Sequence, residues 1–407
     1  MNGAWCRMPA MKHILLIPAL VIAVAFEPRA EQRPSELDTL LRTAVEQRRV
    51  PHVVAMVATA QGVAYEHAVG IGADAIFSIA SMTKPVTSVA VMQLVEAGKV
   101  KLDEPAATYL PEISNVQVMD SGTMRPPKNP LTVRQLLNHT AGFGYEFMDR
   151  NLFDLVGKGT LTSVMAGGDG FMKAPLLFDP GTRWEYGINT DWLGRVVERI
   201  SGQSLEVYFR QHIFDPLGMP DSSFVVPPDK RTRVARMYQR GEAGALTEQP
   251  PRPSPPPDGF YSGGGGLHST ARDYLTFTRA LMSGGQVGQR RILTSESIAL
   301  MGRNQIGDLV IRPFASVIPQ LATDGAALTG NLDKFGLGFA LNTKPVPSGR
   351  GPNTLAWAGI FNTFFWIDRE NQVSAVLMTQ MLPGMDPGPA KLLEDFDRAV
   401  YTWTKAR

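Results

Sequence analysis

The sequence predicts an α/β (α+β) fold: a five-stranded antiparallel sheet flanked by helices, carrying an all-helical insert. Three observations carry this reading. Two strand-like runs, His52 to Ala58 and Val63 to Val69, meet at Gln61-Gly62, and strands joined by a tight turn pair antiparallel. Three short apolar runs return late in the chain, at Thr354 to Phe361, Thr363 to Asp368 and Val373 to Thr379. Residues 100–270 between them lack strand alternation and are rich in short helix signals. The division that follows places residues 35–99 and 330–407 in an α/β/α half, residues 100–329 in the insert, and the active site at the seam.

The elements can be justified in order. Ser35-Glu36-Leu37-Asp38 resembles a capping box, and Leu37, Leu40, Leu41, Ala44 and Val45 recur at helical spacing until Pro51. In the second strand Val63, Tyr65, His67 and Val69 alternate with Ala64, Glu66 and Ala68, so His67 reads as a half-buried strand residue. A helix follows from Ser81 to about Gly98, apolar nearly all round and therefore expected to be buried. Pro85 sits near its first turn, where a missing N–H costs least. In the insert, Thr132 and Ser204 read as caps of short helices, and 191–200 as another helix. Six prolines among Gln249–Asp258 mark an extended surface loop. Four glycines, Gly263 to Gly266, indicate a close backbone approach; a phosphate loop would need a following Lys-Ser/Thr. Leu392, Leu393, Phe396, Ala399, Val400 and Trp403 form the stripe of a last helix. Terminal helices are expected on one face of the sheet and the Ser81 helix on the other.

Composition excludes several function classes. The 407 residues are 44% hydrophobic and 19% charged, which is ordinary for a globular chain with a large core. The net charge of +2, without a basic run, gives nucleic acid nothing to bind. Six scattered histidines, with no H-x-H or H-E-x-x-H pair, point to no metal site, and no cofactor motif occurs. Arg7 and Lys12 precede the apolar run Ile14 to Phe26, and Ala23-Val24-Ala25 offers a cleavage site. Residues 1–30 therefore read as a signal peptide, with an uncleaved anchor as the alternative. The single cysteine, Cys6, lies in this segment, so the mature chain has no thiol. The expectation is a periplasmic or secreted protein with no stable membrane span after processing.

The chemistry centres on Ser81-Met82-Thr83-Lys84. Residues three apart on a helix share a face, so the lysine amine can reach the serine hydroxyl. Serine alone is a weak nucleophile, and a neighbouring base that takes its proton activates it. A lysine serves as that base only where burial or another cation disfavours its charged form. S-x-x-K is the nucleophile motif of penicillin-recognising enzymes. No serine has the G-x-S-x-G flanks of an α/β-hydrolase.

Taken with Leu136-Leu137-Asn138-His139-Thr140-Ala141-Gly142, Pro180-Gly181-Thr182, Tyr186, the glycine run before Leu267 to Tyr274, and Trp357-Ala358-Gly359, the chain resembles the serine β-lactamase-like superfamily. The likeness spans nearly all of residues 35–405 and is strongest to the class C branch and its family VIII carboxylesterases. The resemblance implies Ser81 as nucleophile, Lys84 and Tyr186 as partners in base catalysis, and an oxyanion hole from the backbone N–H groups of Ser81 and Ile360. It assigns substrate binding to Trp357, Ala358 and Gly359. Which of Lys84 and Tyr186 holds the proton is left open.

Two departures matter. Class C enzymes carry Y-x-N, but Ile188 stands at the asparagine position and Asn189 is one place late. They also carry K-T-G, and no Lys-Thr-Gly or Lys-Ser-Gly occurs here; Trp357-Ala358-Gly359 resembles the esterases' W-G-G variant. Tryptophan offers one N–H and no charge, so a β-lactam carboxylate loses a charge-assisted partner while a neutral ester does not. The expectation is an exported serine hydrolase acting on short, uncharged carboxylic esters, with weak β-lactam hydrolysis compatible. The alternatives are a class C-like β-lactamase or D-Ala-D-Ala peptidase, an acyltransferase, or a non-catalytic cell-wall-binding relative. Phe143, Tyr145, Phe147, Phe260 and Tyr261 either wall an apolar pocket or pack the hinge between the two halves.

Overall fold

The computed structural model describes residues 1–3, 35–250, 259–325 and 331–405. The signal-peptide reading, Cys6 and most of the proline-rich loop lie outside the described residues. Met1–Pro34 forms one unit and Ser35–Arg407 a second, and every described helix and strand lies in the second.

Helix α1 (Glu36–Glu46) begins in the expected capping box, with Ser35 Oγ accepting from Asp38 N–H and Asp38 accepting from Ser35 N–H. Strands β1 (Val53–Thr59) and β2 (Gly62–Val69) form the hairpin. Helix α2 (Thr83–Glu96) follows a short 3₁₀ turn at Ala80–Met82. Ser81 thus sits in the tighter turn just before the α-helix, rather than within it. Eleven of the fourteen α2 residues are buried, as the absence of a polar face required. The insert contributes α3 (Asn189–Ser201) and α4 (Ala271–Met282), with several shorter turns and hairpins.

The main sheet has seven strands rather than five. Beyond β5 (Leu355–Gly359), β6 (Thr363–Asp368) and β7 (Val373–Met378) lie two-residue edge strands, β3 (Lys334–Phe335) and β4 (Ala340–Leu341). The order is β3-β4-β5-β6-β7-β1-β2, antiparallel throughout. β1 joins β7 in the interior, with Val54 opposite Met378. Residues from the two ends of the described chain therefore meet inside one sheet.

The strand faces separate two apolar cores. α1 and α5 (Pro387–Lys405) cover one face through Leu37, Leu41, Leu392, Phe396 and Val400, packed on Val53, Ala55, Trp366 and Leu377. Burial of each such side chain contributes about 1.5–3 kcal/mol. The helix lying directly on the other face is α4, against β1, β6 and β7, and not α2. α2 lies further out, against α3. No helix among the described residues is long and apolar enough to cross a membrane.

Candidate active site

The Ser81 turn is pinned on several sides. Ser78 N–H donates to Gln380 Oε1 at 2.8 Å, Ile79 N–H to Leu267 O at 3.0 Å, and Tyr274 Oη to Met82 O at 2.8 Å. Thr87 Oγ1 donates to Gly263 O at 2.7 Å, tying α2 to the glycine run. Ala80 takes φ +42°, an unfavourable left-handed value for a residue with a Cβ, immediately before the serine.

Within this frame Lys84 is almost wholly buried, with 1% of its surface exposed. Its Nζ donates to three oxygens: Ser81 Oγ at 3.2 Å, Tyr145 Oη at 2.9 Å and Gly264 O at 2.7 Å. Three acceptors match the three hydrogens of an ammonium. Tyr186 Oη lies 2.6 Å from Ser81 Oγ, and the Tyr186 ring centroid is 4.7 Å from Lys84 Nζ. The structure therefore brings Ser81, Lys84 and Tyr186 together, and adds Tyr145 and the Gly264 carbonyl, which the motifs did not assign. Burial, and then the charges of Tyr186, Asp191 and Glu146, push the Tyr145 phenol well above its usual range. Tyr145 consequently remains a neutral hydrogen-bonding partner and is no candidate for the base.

The third motif closes the site from the sheet. The Trp357 ring lies 5.0 Å from that of Tyr186. Gly359 ends β5 against the Ser81 turn, where an added Cβ would come 2.3 Å from Ile79 O. Only glycine allows that approach, and it brings Ile360 next to the Ser81 turn. The Ile360 N–H donates to no group among the described residues, so it is available to an oxyanion. Ala358 lies on β5 between these two, its side chain against the α1–α5 core.

Phe314, from a loop without a sequence signal, stacks on Tyr186 at 5.4 Å and meets Trp357 edge-on at 6.3 Å. Phe147 stacks on Tyr145 at 5.0 Å. Tyr145 and Phe147 thus belong to the wall of the site. Phe143 stacks instead on Trp192, Phe260 meets Phe171 edge-on, and Tyr261 packs at a tilt on Phe224, inside the insert. Trp357 also borders a cavity of about 510 Å³ between Arg312, Leu332, Val346 and Leu393, but Ser81, Lys84 and Tyr186 do not line it.

Asn189 does not occupy the missing asparagine position. Its Nδ2 lies 2.8 Å from His139 Nδ1, away from the serine. Burial and the Lys84 charge hold the His139 imidazole well below its usual range, so it is a neutral packing residue. The glycine run is a close approach, as expected: an added Cβ would meet Thr190 O at Gly263 and the Asp191 carboxylate at Gly264. Among the described residues no cluster of His, Cys, Asp and Glu could hold a metal.

Comparison with known proteins bears on the family and the fold. The Beta-lactamase family model matches residues 37–399. The acyltransferase calJ of Penicillium decumbens is 30% identical over 353 residues, covering 82% of each chain. Esterase EstB of Burkholderia gladioli is 28% identical over 396 residues, covering 87% of this chain and 92% of its own. Unliganded simvastatin synthase (LovD) from Aspergillus terreus superposes with a TM-score of 0.76 at 26% identity, covering 91% of this chain and 98% of its own. Esterases and acyltransferases thus both stand among the relatives, and the chain belongs to the Beta-lactamase family.

Proposed function

We propose that the protein is an exported serine esterase that cleaves short, uncharged carboxylic esters through an acyl-enzyme on Ser81. The observation that carries the reading is the contact of Ser81 Oγ with both Tyr186 Oη and Lys84 Nζ, beside a tryptophan in place of a cation. Tyr186 is the nearer of the two, and Lys84 is already committed as a donor to Gly264 O. Tyr186, as the phenolate paired with the Lys84 ammonium 4.7 Å from its ring, takes the Ser81 proton as Oγ bonds to the ester carbonyl carbon. The carbonyl electrons move onto oxygen, which the Ser81 and Ile360 N–H groups receive. As the C–O bond breaks, the proton passes to the departing alcohol. Water then attacks the acyl group, giving up its proton by the same route, and Ser81 is restored.

The wall of Tyr145, Phe147, Tyr186, Phe314 and Trp357 is aromatic, and the cation against it, Lys84, already donates to three oxygens, which supports a neutral substrate. The acyltransferase among the relatives supports a second reading, in which an alcohol replaces water as acceptor. Export rests on the N-terminal sequence pattern.

The test compares the mature protein with Ser81→Ala on p-nitrophenyl butyrate and a chromogenic cephalosporin. Ester turnover is expected to fall at least about 10³-fold in the variant. Cephalosporin turnover is expected to be far slower than ester turnover in the parent. Faster cephalosporin turnover would sink the esterase reading, and ester turnover surviving in Ser81→Ala would remove the nucleophile. Added alcohol that diverts product from acid to a new ester would select acyl transfer.

A further inference from the structure

Asp191, near the N-terminus of α3, lies behind the glycine run and has no role in the chemistry described above. It is 1% exposed. Its Oδ1 accepts from Ser262 Oγ at 2.6 Å and from Gly264 N–H at 3.0 Å. Its Oδ2 has no hydrogen-bond partner. An added Cβ on Gly264 would lie 2.3 Å from that oxygen, so the carboxylate rests directly against the Gly264 backbone. The other side of the same residue, its carbonyl, receives Lys84 Nζ at 2.7 Å. One residue therefore joins a buried anion to a buried cation, with its N–H toward one and its C=O toward the other.

We propose that Asp191 is the buried counter-charge of Lys84, a positioning residue that holds the Gly264 carbonyl on the lysine and biases the protonation of the Lys84–Tyr186 pair. The inference rests on the reading of Ser81 as the nucleophile. Two donors on Oδ1 suit a carboxylate, and a proton on Oδ2 has no acceptor there. Burial raises the Asp191 carboxyl from its ordinary value, and the Lys84 charge opposes that rise. The other titratable groups facing this pair are Tyr145, Glu146, Tyr186 and His139, the last of them neutral. An isolated buried charge is costly, so each partner fixes the charge of the other.

The test has two parts. The first is the pH dependence of Ser81 labelling by a p-nitrophenyl alkylphosphonate, in the parent and in Asp191→Asn. The amide keeps an oxygen for Ser262 and Gly264 but removes the charge. Loss of a nearby negative charge lowers the pH at which the Lys84–Tyr186 pair releases its proton. Both limbs of the profile are therefore expected to move to lower pH by about one unit. A residue that merely shapes the loop would lower the rate without moving the limbs, and that outcome overturns the proposal.

The second part is the thermal stability of Lys84→Met, Asp191→Asn and the double variant. Each single change leaves one charge unpaired, and the double variant is expected to melt above either single one. This holds as a test even if Asp191→Asn alone is too unstable to assay, because a double variant no more stable than the singles overturns the pairing. Failure of the parent protein to label at Ser81 would defeat the esterase reading itself, which the melting comparison separates from the Asp191–Lys84 pairing.

Discussion

Lys84 Nζ sits 2.9 Å from Tyr145 Oη and 5.2 Å from the Tyr145 ring centroid, so one tyrosine gives the lysine both an acceptor and the edge of an aromatic face. The amine is held jointly by this contact and by Gly264 O at 2.7 Å. Tyr145→Phe keeps the ring and removes the acceptor, leaving a buried N–H unpaired. A hydrogen bond to a charged group contributes about 1.5–3 kcal/mol, so kcat on p-nitrophenyl butyrate is expected to fall roughly tenfold to a hundredfold. An unchanged kcat would show that Tyr145 is only a wall.

Gly359→Ala tests the seam between the sheet and the Ser81 turn. The added methyl meets Ile79 O at 2.3 Å and Thr363 Oγ1 at 2.4 Å, and the first is backbone that cannot swing away. Overpacking of this kind costs about 1–3 kcal/mol, and the displacement falls on Ile360, so activity should fall further than stability. Gly157→Ala, whose Cβ meets nothing within 4 Å, is the control and should leave both unchanged. Equal melting temperatures for the two variants would contradict the close approach.

Stability should decline on mild acidification. Burial pushes the His52 and His268 imidazoles down to about 4. Both are neutral in the folded chain, whereas an unfolded histidine takes up a proton near pH 6.5. The unfolded state therefore binds more protons as pH falls from 6.5 toward 4, and folding loses free energy across that window. Asp273 works against this: burial pushes its carboxyl up to about 6, so its contribution grows as pH falls from 6 toward 3.8. The discriminating measurement is melting temperature against pH for the parent and His52→Gln. The variant should show a shallower decline between pH 6.5 and 4, and an equal slope would exclude His52 as a source.

What could be read from the sequence was local. Ser81 and Lys84 are three residues apart, and helix geometry alone makes them neighbours. The β1–β2 hairpin announced itself through alternation and a Gln61-Gly62 turn. Other features depend on where the chain goes rather than on what it says nearby. Tyr145 could be named as a candidate wall residue but not as a partner of Lys84, and the Gly264 carbonyl and Phe314 reach the site from irregular loops, whose paths have no period to detect. The edge strands β3 and β4 have two residues each, too few for alternation to show. The helix covering the inner sheet face, α4, follows the glycine run closely, so its Thr270 cap was overshadowed by the glycines. Asn189, one place late in the sequence pattern, turns to His139.

The strand order has a consequence for synthesis. Ser78, three residues before Ser81, is fastened to Gln380, 302 residues further along the chain. β1 likewise has only the β2 hairpin as a partner until β7 has been made. A ribosome therefore releases the S-x-x-K segment long before the segment that holds it in place exists. The site around Ser81 can be assembled only at the end of translation, and a chain cut short before β7 leaves β1 as an open sheet edge.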